Sequence, residues 1–188
     1  MKSGKIRIIG GKWKGKKISY NLDTTLRPTP DRAKEMVFNW LGQDLNNLNC
    51  LDLFSGTGAM GLECLSRGAK KVHFVEKNKN FYKNLRQNLY SLKMEQKIKV
   101  FNEDCLIWLK NPNQEEKYDV VFVDPPFSKG LAEKVFLLLR KNDYLKKESL
   151  IYLETEKTLN MDFLVEKHEV FKEKSFGEKS YRLIKVLF

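Results

Sequence analysis

The sequence has no long hydrophobic run. No stretch of about 18 apolar residues occurs among its 188 residues, so no membrane-spanning helix is predicted. The N-terminus is charged and has no apolar signal-peptide core, and we therefore expect a soluble protein that is not exported and works in the cytoplasm. The length suits one α/β domain with a small extension.

Cysteine and histidine are also scarce. The three cysteines, Cys50, Cys64 and Cys105, are an odd number without metal-ligand spacing, which is typical of small buried residues in a reducing compartment. The two histidines, His73 and His168, lie far apart and have no cysteine or acid pattern around them. We predict no metal site.

Acidic residues are missing from the N-terminal segment. Residues 1–17 hold seven basic residues and no acid, whereas the remaining 171 residues carry only +4 of the net charge of +11. Alternating residues on both sides of Gly10 and Gly11 predict two short strands, 5–9 and 12–18, in a hairpin that must dock on the domain or on a partner. The charge predicts contact with a nucleic acid. Trp13 either stacks on an unpaired base or anchors the hairpin.

Glycine is concentrated in one loop. Residues 51–61 predict a buried strand, a tight turn through Gly56 and Gly58, and the start of a helix. Ligands of α/β sheets bind at this end of a strand. The pattern matches a dinucleotide fingerprint, but the carboxylate of Asp52 would face the pyrophosphate. S-adenosylmethionine carries an ammonium and a sulfonium and fits better, unless Asp52 merely caps the turn.

Acids follow three successive predicted strands, at Asp52, Glu76 and Asp104. Glu76 would accept from both ribose hydroxyls, and Asp104 from the adenine amine. Each alone would be a routine helix cap, but together they converge on one edge of the sheet. The predicted cofactor-binding residues are Asp52, Phe54, Ser55, Gly56, Thr57, Gly58, Glu76, Lys77, Asp104 and Cys105.

A second motif, Asp124-Pro125-Pro126-Phe127, follows the predicted strand 118–123. The prolines end the strand and fix a rigid extended turn. This turn displays the Asp124 carboxylate and the Pro125 carbonyl as acceptors for the two N–H bonds of an exocyclic amine, while Phe127 stacks on the base. Catalysis of methyl transfer to that amine would then rest on orientation and electrostatics. The alternative is a loop terminator with a core phenylalanine.

The remaining segments predict the rest of the fold. Thr29 as N-cap and Pro30 as first helical residue begin a helix that ends near Leu41. Arg27 and Arg32 lie around its start, where they contact the substrate backbone, close over the cofactor or remain solvated. Strands are predicted over 71–76, 98–101 and 149–153, with a closing antiparallel hairpin over 169–188. The prediction is a doubly wound, Rossmann-like α/β fold, with a mostly parallel seven-stranded sheet, an antiparallel C-terminal strand and an N-terminal hairpin extension (1–25 before 26–188).

Several segments together resemble the bacterial RsmD family, which are guanine-N2 methyltransferases of small-subunit (16S) ribosomal RNA. The resemblance covers nearly the whole chain and is carried by these segments: Ile6 to Gly11, Leu26 to Thr29 with Asp31-Arg32, Phe38 to Leu41, Asp52 to Gly61, Val123 to Phe127, and Tyr181 to Leu183. It implies a class I methyltransferase fold, the cofactor S-adenosylmethionine, a base held by Asp124 to Phe127, and an RNA substrate in an assembling 30S particle. We expect the protein to act as a monomer. The predicted RNA-binding residues are Lys12, Trp13, Lys14, Lys16, Arg27, Arg32 and Lys129.

Three other functions stay open from the residues alone. The Asp-Pro-Pro-aromatic motif also serves adenine-N6 methylation of DNA or RNA. A non-enzymatic RNA-binding assembly factor would have no cofactor affinity. An NAD-dependent oxidoreductase would bind a dinucleotide, although the sequence has no evident hydride-site residues.

Overall fold

The computed structural model describes residues 3–21, 29–93, 98–112, 117–126, 130–164 and 167–187. The strands are β1 (Ser3–Arg7), β2 (Lys17–Asn21), β3 (Asn49–Asp52), β4 (Lys71–Val75), β5 (Ile98–Phe101), β6 (Tyr118–Val123), β7 (Leu145–Glu156), β8 (His168–Phe176) and β9 (Lys179–Val186). The α-helices are α1 (Asp31–Leu41), α2 (Ala59–Ser66), α3 (Lys79–Ser91), α4 (Cys105–Lys110) and α5 (Leu131–Lys141).

Seven strands form the central sheet in the order β5-β4-β3-β6-β7-β9-β8. Strands β3 to β7 are parallel, and β9 is antiparallel to both of its neighbours. The predicted doubly wound sheet with an antiparallel C-terminal strand is confirmed. The chain leaves β3 towards β4 on one side and later adds β6 on the other, so the sheet reverses its order between β3 and β6. Ligands of such sheets bind at this reversal, beyond the carboxyl ends of the strands.

The two faces of the sheet bury separate cores. Cys50 of β3 and Phe122 of β6 pack on the face that carries α1, α2, α3 and the β1–β2 hairpin. Leu51 and Val123 point to the opposite face, which α4 and α5 cover. Both faces of the central strands are therefore buried, as expected of parallel strands covered by helices.

The N-terminal hairpin differs from its prediction at the turn. Residues Gly11–Trp13 form a 3-10 turn, and the second strand begins at Lys17, so the predicted strand over 12–18 is wrong in its first half. The cause is a close contact with α2. Gly11 has φ +69, and a Cβ there would lie 1.9 Å from the Ser66 carbonyl oxygen. The Trp13 amide donates to Ser66 Oγ at 2.9 Å.

A buried charged cluster fixes the hairpin to the domain. The fully buried Glu63 carboxylate of α2 accepts hydrogen bonds from the Ile9 amide (2.5 Å) and the Gly10 amide (3.2 Å). Lys34 and Arg67, both buried, lie 3.8 Å and 3.4 Å from its oxygens. The hairpin therefore docks on the domain, through polar groups inside the core.

Several element bounds also differ from the prediction. Helix α1 begins at Asp31, and Pro30 is the N-cap because its backbone is extended, so Thr29 does not cap the helix. Helix α4 was not predicted at all. Strand β7 spans 12 residues where five were predicted, because its first half is polar and contains Glu148 with φ +64. The predicted boundary between residues 25 and 26 lies outside the described residues.

Candidate active site

The glycine-rich loop closes tightly after β3. Gly56 and Gly58 have φ values of +50 and +79, in the left-handed region that favours glycine. A Cβ on Gly58 would lie 2.4 Å from Cδ1 of Leu85 in α3, so the loop is also packed against that helix. The Ser55 hydroxyl holds the start of the turn by donating to the carbonyls of Asp52 (2.9 Å) and Val75 (3.2 Å).

Asp52 lies at the end of β3 and is 4% exposed. Its Oδ2 accepts the Gly61 amide of α2 at 3.2 Å. This contact caps the turn, which is the structural role that the sequence offers for Asp52 in place of cofactor binding. Hydrogen bonds from the Gly61 and Phe54 amides do not offset the cost of burying a charge: burial, together with repulsion by Glu76, raises the pKa of Asp52 to about 7. A cation next to Asp52 would relieve this cost.

Glu76 follows β4 and joins two loops. Its Oε2 accepts the Gly56 amide and its Oε1 accepts the Asn78 amide, both at 2.6 Å. These two bonds lower the pKa of Glu76, but burial outweighs them and raises it. Among the described residues, no lysine or arginine forms an ion pair with Asp52 or Glu76. This part of the site carries an excess of buried negative charge.

Asp104 acts as a helix cap in this structure. Its Oδ1 accepts the Leu106 amide of α4 at 2.9 Å, and its Oδ2 lies 2.9 Å from Nζ of the exposed Lys77. The hydrogen bond from Lys77 lowers the pKa of Asp104, so this acid is ionised and already paired. Cys105 is buried, and burial raises the pKa of its thiol to about 12. A cofactor contact by these residues stays a prediction.

Asp124 stands beside the glycine loop at the point where the sheet reverses. Strands β3 and β6 are neighbours with Asp52 opposite Phe122, which places Asp124 two residues farther along on the same face. Burial raises the pKa of Asp124, and repulsion by Glu154 and Asp52 adds to the shift. Pro125 is buried and Pro126 is exposed. Phe127 lies outside the described residues, so its stacking role stays a prediction.

Two charged residues missed by the sequence analysis complete this edge. Glu154, in β7, is 2% exposed; its Oε1 pairs with Nζ of Lys179 in β9, and its Oε2 accepts the Tyr152 hydroxyl at 3.0 Å. The sequence did carry a signal for Glu154. Like Asp52 and Asp124, it is an acid that follows a run of apolar strand residues, but the segment was interpreted only as part of the sheet.

The predicted RNA-binding residues lie in two places. Lys12, Lys14 and Lys16, the turn lysines, are exposed in the hairpin turn, which contacts the C-terminal end of α2. Helix α2 is eight residues long, so the turn lies about 12 Å from the glycine loop along its axis. Trp13 packs against the core, which is the anchoring role considered above. Arg32 is exposed at the start of α1, with its guanidinium 4.6 Å from the centre of the Phe176 ring. Arg27 and Lys129 lie outside the described residues.

Comparisons with known proteins identify the family of this chain. A family model described as conserved hypothetical protein 95 matches residues 6–185. A Haemophilus influenzae relative named ribosomal RNA small subunit methyltransferase D is 45% identical over 181 residues, covering 96% of this chain and 93% of its own. The chain belongs to the RsmD family. A solved Escherichia coli structure of a family relative, described as putative methyltransferase yhhF, has a TM-score of 0.87 at 36% identity and covers 98% of this chain and 99% of its own.

A more distant structure confirms the fold class. The Thermus thermophilus 16S rRNA N2 G1207 methyltransferase, solved with AdoMet and guanosine, has a TM-score of 0.74 at 19% identity, covering all of this chain and half of its own. At this identity the likeness shows the fold alone, which is the class I methyltransferase fold. In the described part of the chain, no helix is long and apolar enough to cross a membrane. Nor do the described residues include a cluster of three or more histidines, cysteines or acids able to hold a metal ion.

Proposed function

We propose that this chain transfers a methyl group from S-adenosylmethionine to the exocyclic N2 amine of a guanine in small-subunit (16S) ribosomal RNA. The observation that carries the proposal is the convergence of Asp52, Glu76 and Asp124 at the carboxyl edge of three neighbouring strands, around a left-handed glycine turn. The H. influenzae relative is named for the same kind of substrate.

The residues present suit this cofactor. Asp52 and Glu76 supply buried carboxylates without a cationic partner among the described side chains, which favours a ligand that brings its own positive charge. Glu76 has lone pairs left for ribose hydroxyls after its two amide contacts. A dinucleotide would bring a pyrophosphate to this loop, where the two acids would repel it.

Asp124 and Pro125 would orient the substrate amine. When bound, the cofactor supplies a sulfonium methyl: the S–CH₃ bond breaks as the N–CH₃ bond forms, and the sulfur keeps the electron pair as a neutral thioether. Two acceptors that draw on both N–H bonds aim the nitrogen lone pair and stabilise the positive charge that develops on it. Asp124, in its ionised form, or water would accept the proton that the amine then loses.

The RNA contact would extend from the site towards the hairpin. Arg32 lies beside Phe176, whose ring packs 5.9 Å from that of Tyr181 near Glu154, so a positive charge flanks the substrate side of the site. The turn lysines add charge at the far end of α2. We further propose that the substrate is RNA in an assembling 30S particle in the cytoplasm, and that the protein acts as a monomer, which sedimentation would test.

Transfer from labelled S-adenosylmethionine to unmodified small-subunit RNA or particles tests the proposal. We expect N2-methylguanosine in the digested product, and no transfer by Asp124→Ala despite unchanged cofactor affinity. Formation of N6-methyladenine would replace guanine with adenine as the target. Tight RNA binding without cofactor affinity would contradict the proposal and indicate an assembly factor.

A further inference from the structure

A group of polar side chains next to Asp124 has no part in the function proposed above. Strands β6 and β7 are parallel, with Val123 opposite Leu153, so Asp124 and Glu154 leave neighbouring strands at the same level and on the same face. Burial raises the pKa of Asp124, and repulsion by Glu154 adds to the shift, as expected of two neighbouring carboxylates. Whatever base Asp124 holds therefore has Glu154 beside it.

Glu154 and Lys179 form an ion pair at this position. Glu154 is buried, whereas the Lys179 side chain keeps 37% of its surface exposed, so the ammonium lies where the cluster opens to solvent. Tyr152 donates to the other oxygen of Glu154 and fixes the orientation of the carboxylate. An ion pair placed here stabilises the fold little compared with apolar residues of the same size. Its location suggests that it serves a ligand.

The base edge that matches this arrangement is that of guanine. Along its Watson–Crick edge guanine presents an acceptor at O6, a donor at N1 and two donors at N2. When Asp124 holds N2, a carboxylate beside it, such as that of Glu154, lies next to N1–H. A cation paired with that carboxylate, such as Lys179, then lies next to O6. Adenine presents an acceptor at N1, which an ionised carboxylate would repel.

We propose that Glu154 accepts the N1–H of the target guanine and that Lys179 donates to its O6, so that this pair selects guanine as the base presented to Asp124. The inference rests on the proposed function and names the residues that choose its substrate. A site built to hydrogen-bond a group rejects an analogue without it strongly, because its own buried polar atoms are then left unpaired.

A base analogue makes the inference measurable. 2-Aminopurine keeps the N2 amine but has an acceptor at N1 and nothing at position 6. It would replace the target guanine, mapped in the transfer experiment, in the RNA or particle that supports methylation. We expect the wild-type protein to prefer guanine over 2-aminopurine by at least about tenfold in kcat/KM. Glu154→Gln should lose about 10–100-fold on guanine but little on 2-aminopurine, because its amide can donate to N1, so the preference falls by at least about tenfold.

A second variant tests the other half of the pair. Lys179→Met should lower methylation of guanine about tenfold and leave 2-aminopurine unaffected, since that base has no O6. It also keeps the test decisive if Glu154→Gln fails to fold. The matched control is Glu148→Gln, on the same strand at the opposite end, where Glu148 forms an exposed ion pair with Lys185. This control should keep the wild-type preference.

The inference is overturned if Glu154→Gln and Lys179→Met lower kcat/KM equally on guanine and on 2-aminopurine, or leave the preference for guanine unchanged. Either result would mean that the pair has only a structural role. Neither result would affect the proposed function, because the wild-type protein would still form N2-methylguanosine. A wild-type protein that methylates no guanine would instead refute the proposed function.

Discussion

The cluster that docks the hairpin gives the strongest stability prediction. In Glu63→Gln the side chain keeps its size but loses its charge. Lys34 and Arg67, with side chains only 1% and 3% exposed, would then face a neutral amide. The amide oxygen could satisfy only part of the bonding now made to the Ile9 and Gly10 amides.

The size of the stability loss depends on which other contacts Lys34 and Arg67 keep in Glu63→Gln. Breaking a buried ion pair by removing one partner typically costs 3–5 kcal/mol. Here Lys34 retains its contact with Asp31 at 3.0 Å, and Arg67 retains its hydrogen bond with Gln43. We therefore expect the lower end, about 3 kcal/mol of unfolding free energy, which corresponds to a fall in Tm of about 6–12 °C for a protein of this size.

Urea unfolding followed by circular dichroism would measure the loss. Glu35→Gln, at an exposed position of α1, is the control and should change the free energy by less than about 0.5 kcal/mol. Hydrogen exchange should show faster exchange at the Ile9 and Gly10 amides, with Leu51 in β3 still protected. If Glu63→Gln costs no more than its control, the cluster is not the anchor that its burial implies.

Three further predictions concern the site and the RNA contact. The pKa of Asp52 is about 7 in the folded protein against an ordinary 3.8, so ionisation of Asp52 should cost folding stability as the pH rises. Between pH 5 and pH 8 the unfolding free energy of the ligand-free protein, measured in urea, should fall by about 3 kcal/mol more than that of Asp52→Asn. Equal losses in the two proteins would refute the burial argument. Gly61→Ala should destabilise by about 1–2 kcal/mol despite the better helix propensity of alanine, because its Cβ would lie 2.1 Å from the buried Phe74 ring; higher thermal stability would contradict this. Reversing the charge of the turn lysines should weaken RNA binding and reduce the slope of log K against log salt concentration by about 2–3. The control Lys134→Glu, on the opposite face, should change neither the affinity nor the slope. An unchanged slope in the turn variant would exclude the turn from the RNA interface.

Local patterns in the sequence predicted the sheet and part of the site. Strands β5 and β6 have the predicted bounds because each is a short apolar run with a clear polar stop. The positions of Asp52, Glu76 and Asp124 follow from the same rule, since parallel strands bring their carboxyl ends to one edge. Asp104 also follows a parallel strand, but in the structure its carboxylate caps α4 and pairs with Lys77.

Contacts between distant segments could not be predicted from spacing. The 3-10 turn at Gly11–Trp13 exists because α2 approaches it, and a residue 53 positions away accepts the Trp13 amide. Glu63 was assigned no role because it lies inside a helix, where its partners come from the hairpin and α1. The pair formed by Glu154 and Lys179 depends on β7 and β9 being neighbours, 25 residues apart in the chain.

The way the hairpin is held restricts how this protein can be re-engineered. Helix α2 donates its Gly61 amide to Asp52 on one side and offers Glu63 and Ser66 to the hairpin on the other. A chimera that grafts only residues 3–21 onto another methyltransferase would therefore leave unmatched charges at the graft junction. A graft that keeps the hairpin bound to its new domain would have to include Lys34 and the C-terminal half of α2. The hairpin and its docking site therefore form one structural unit whose segments are separated in the sequence.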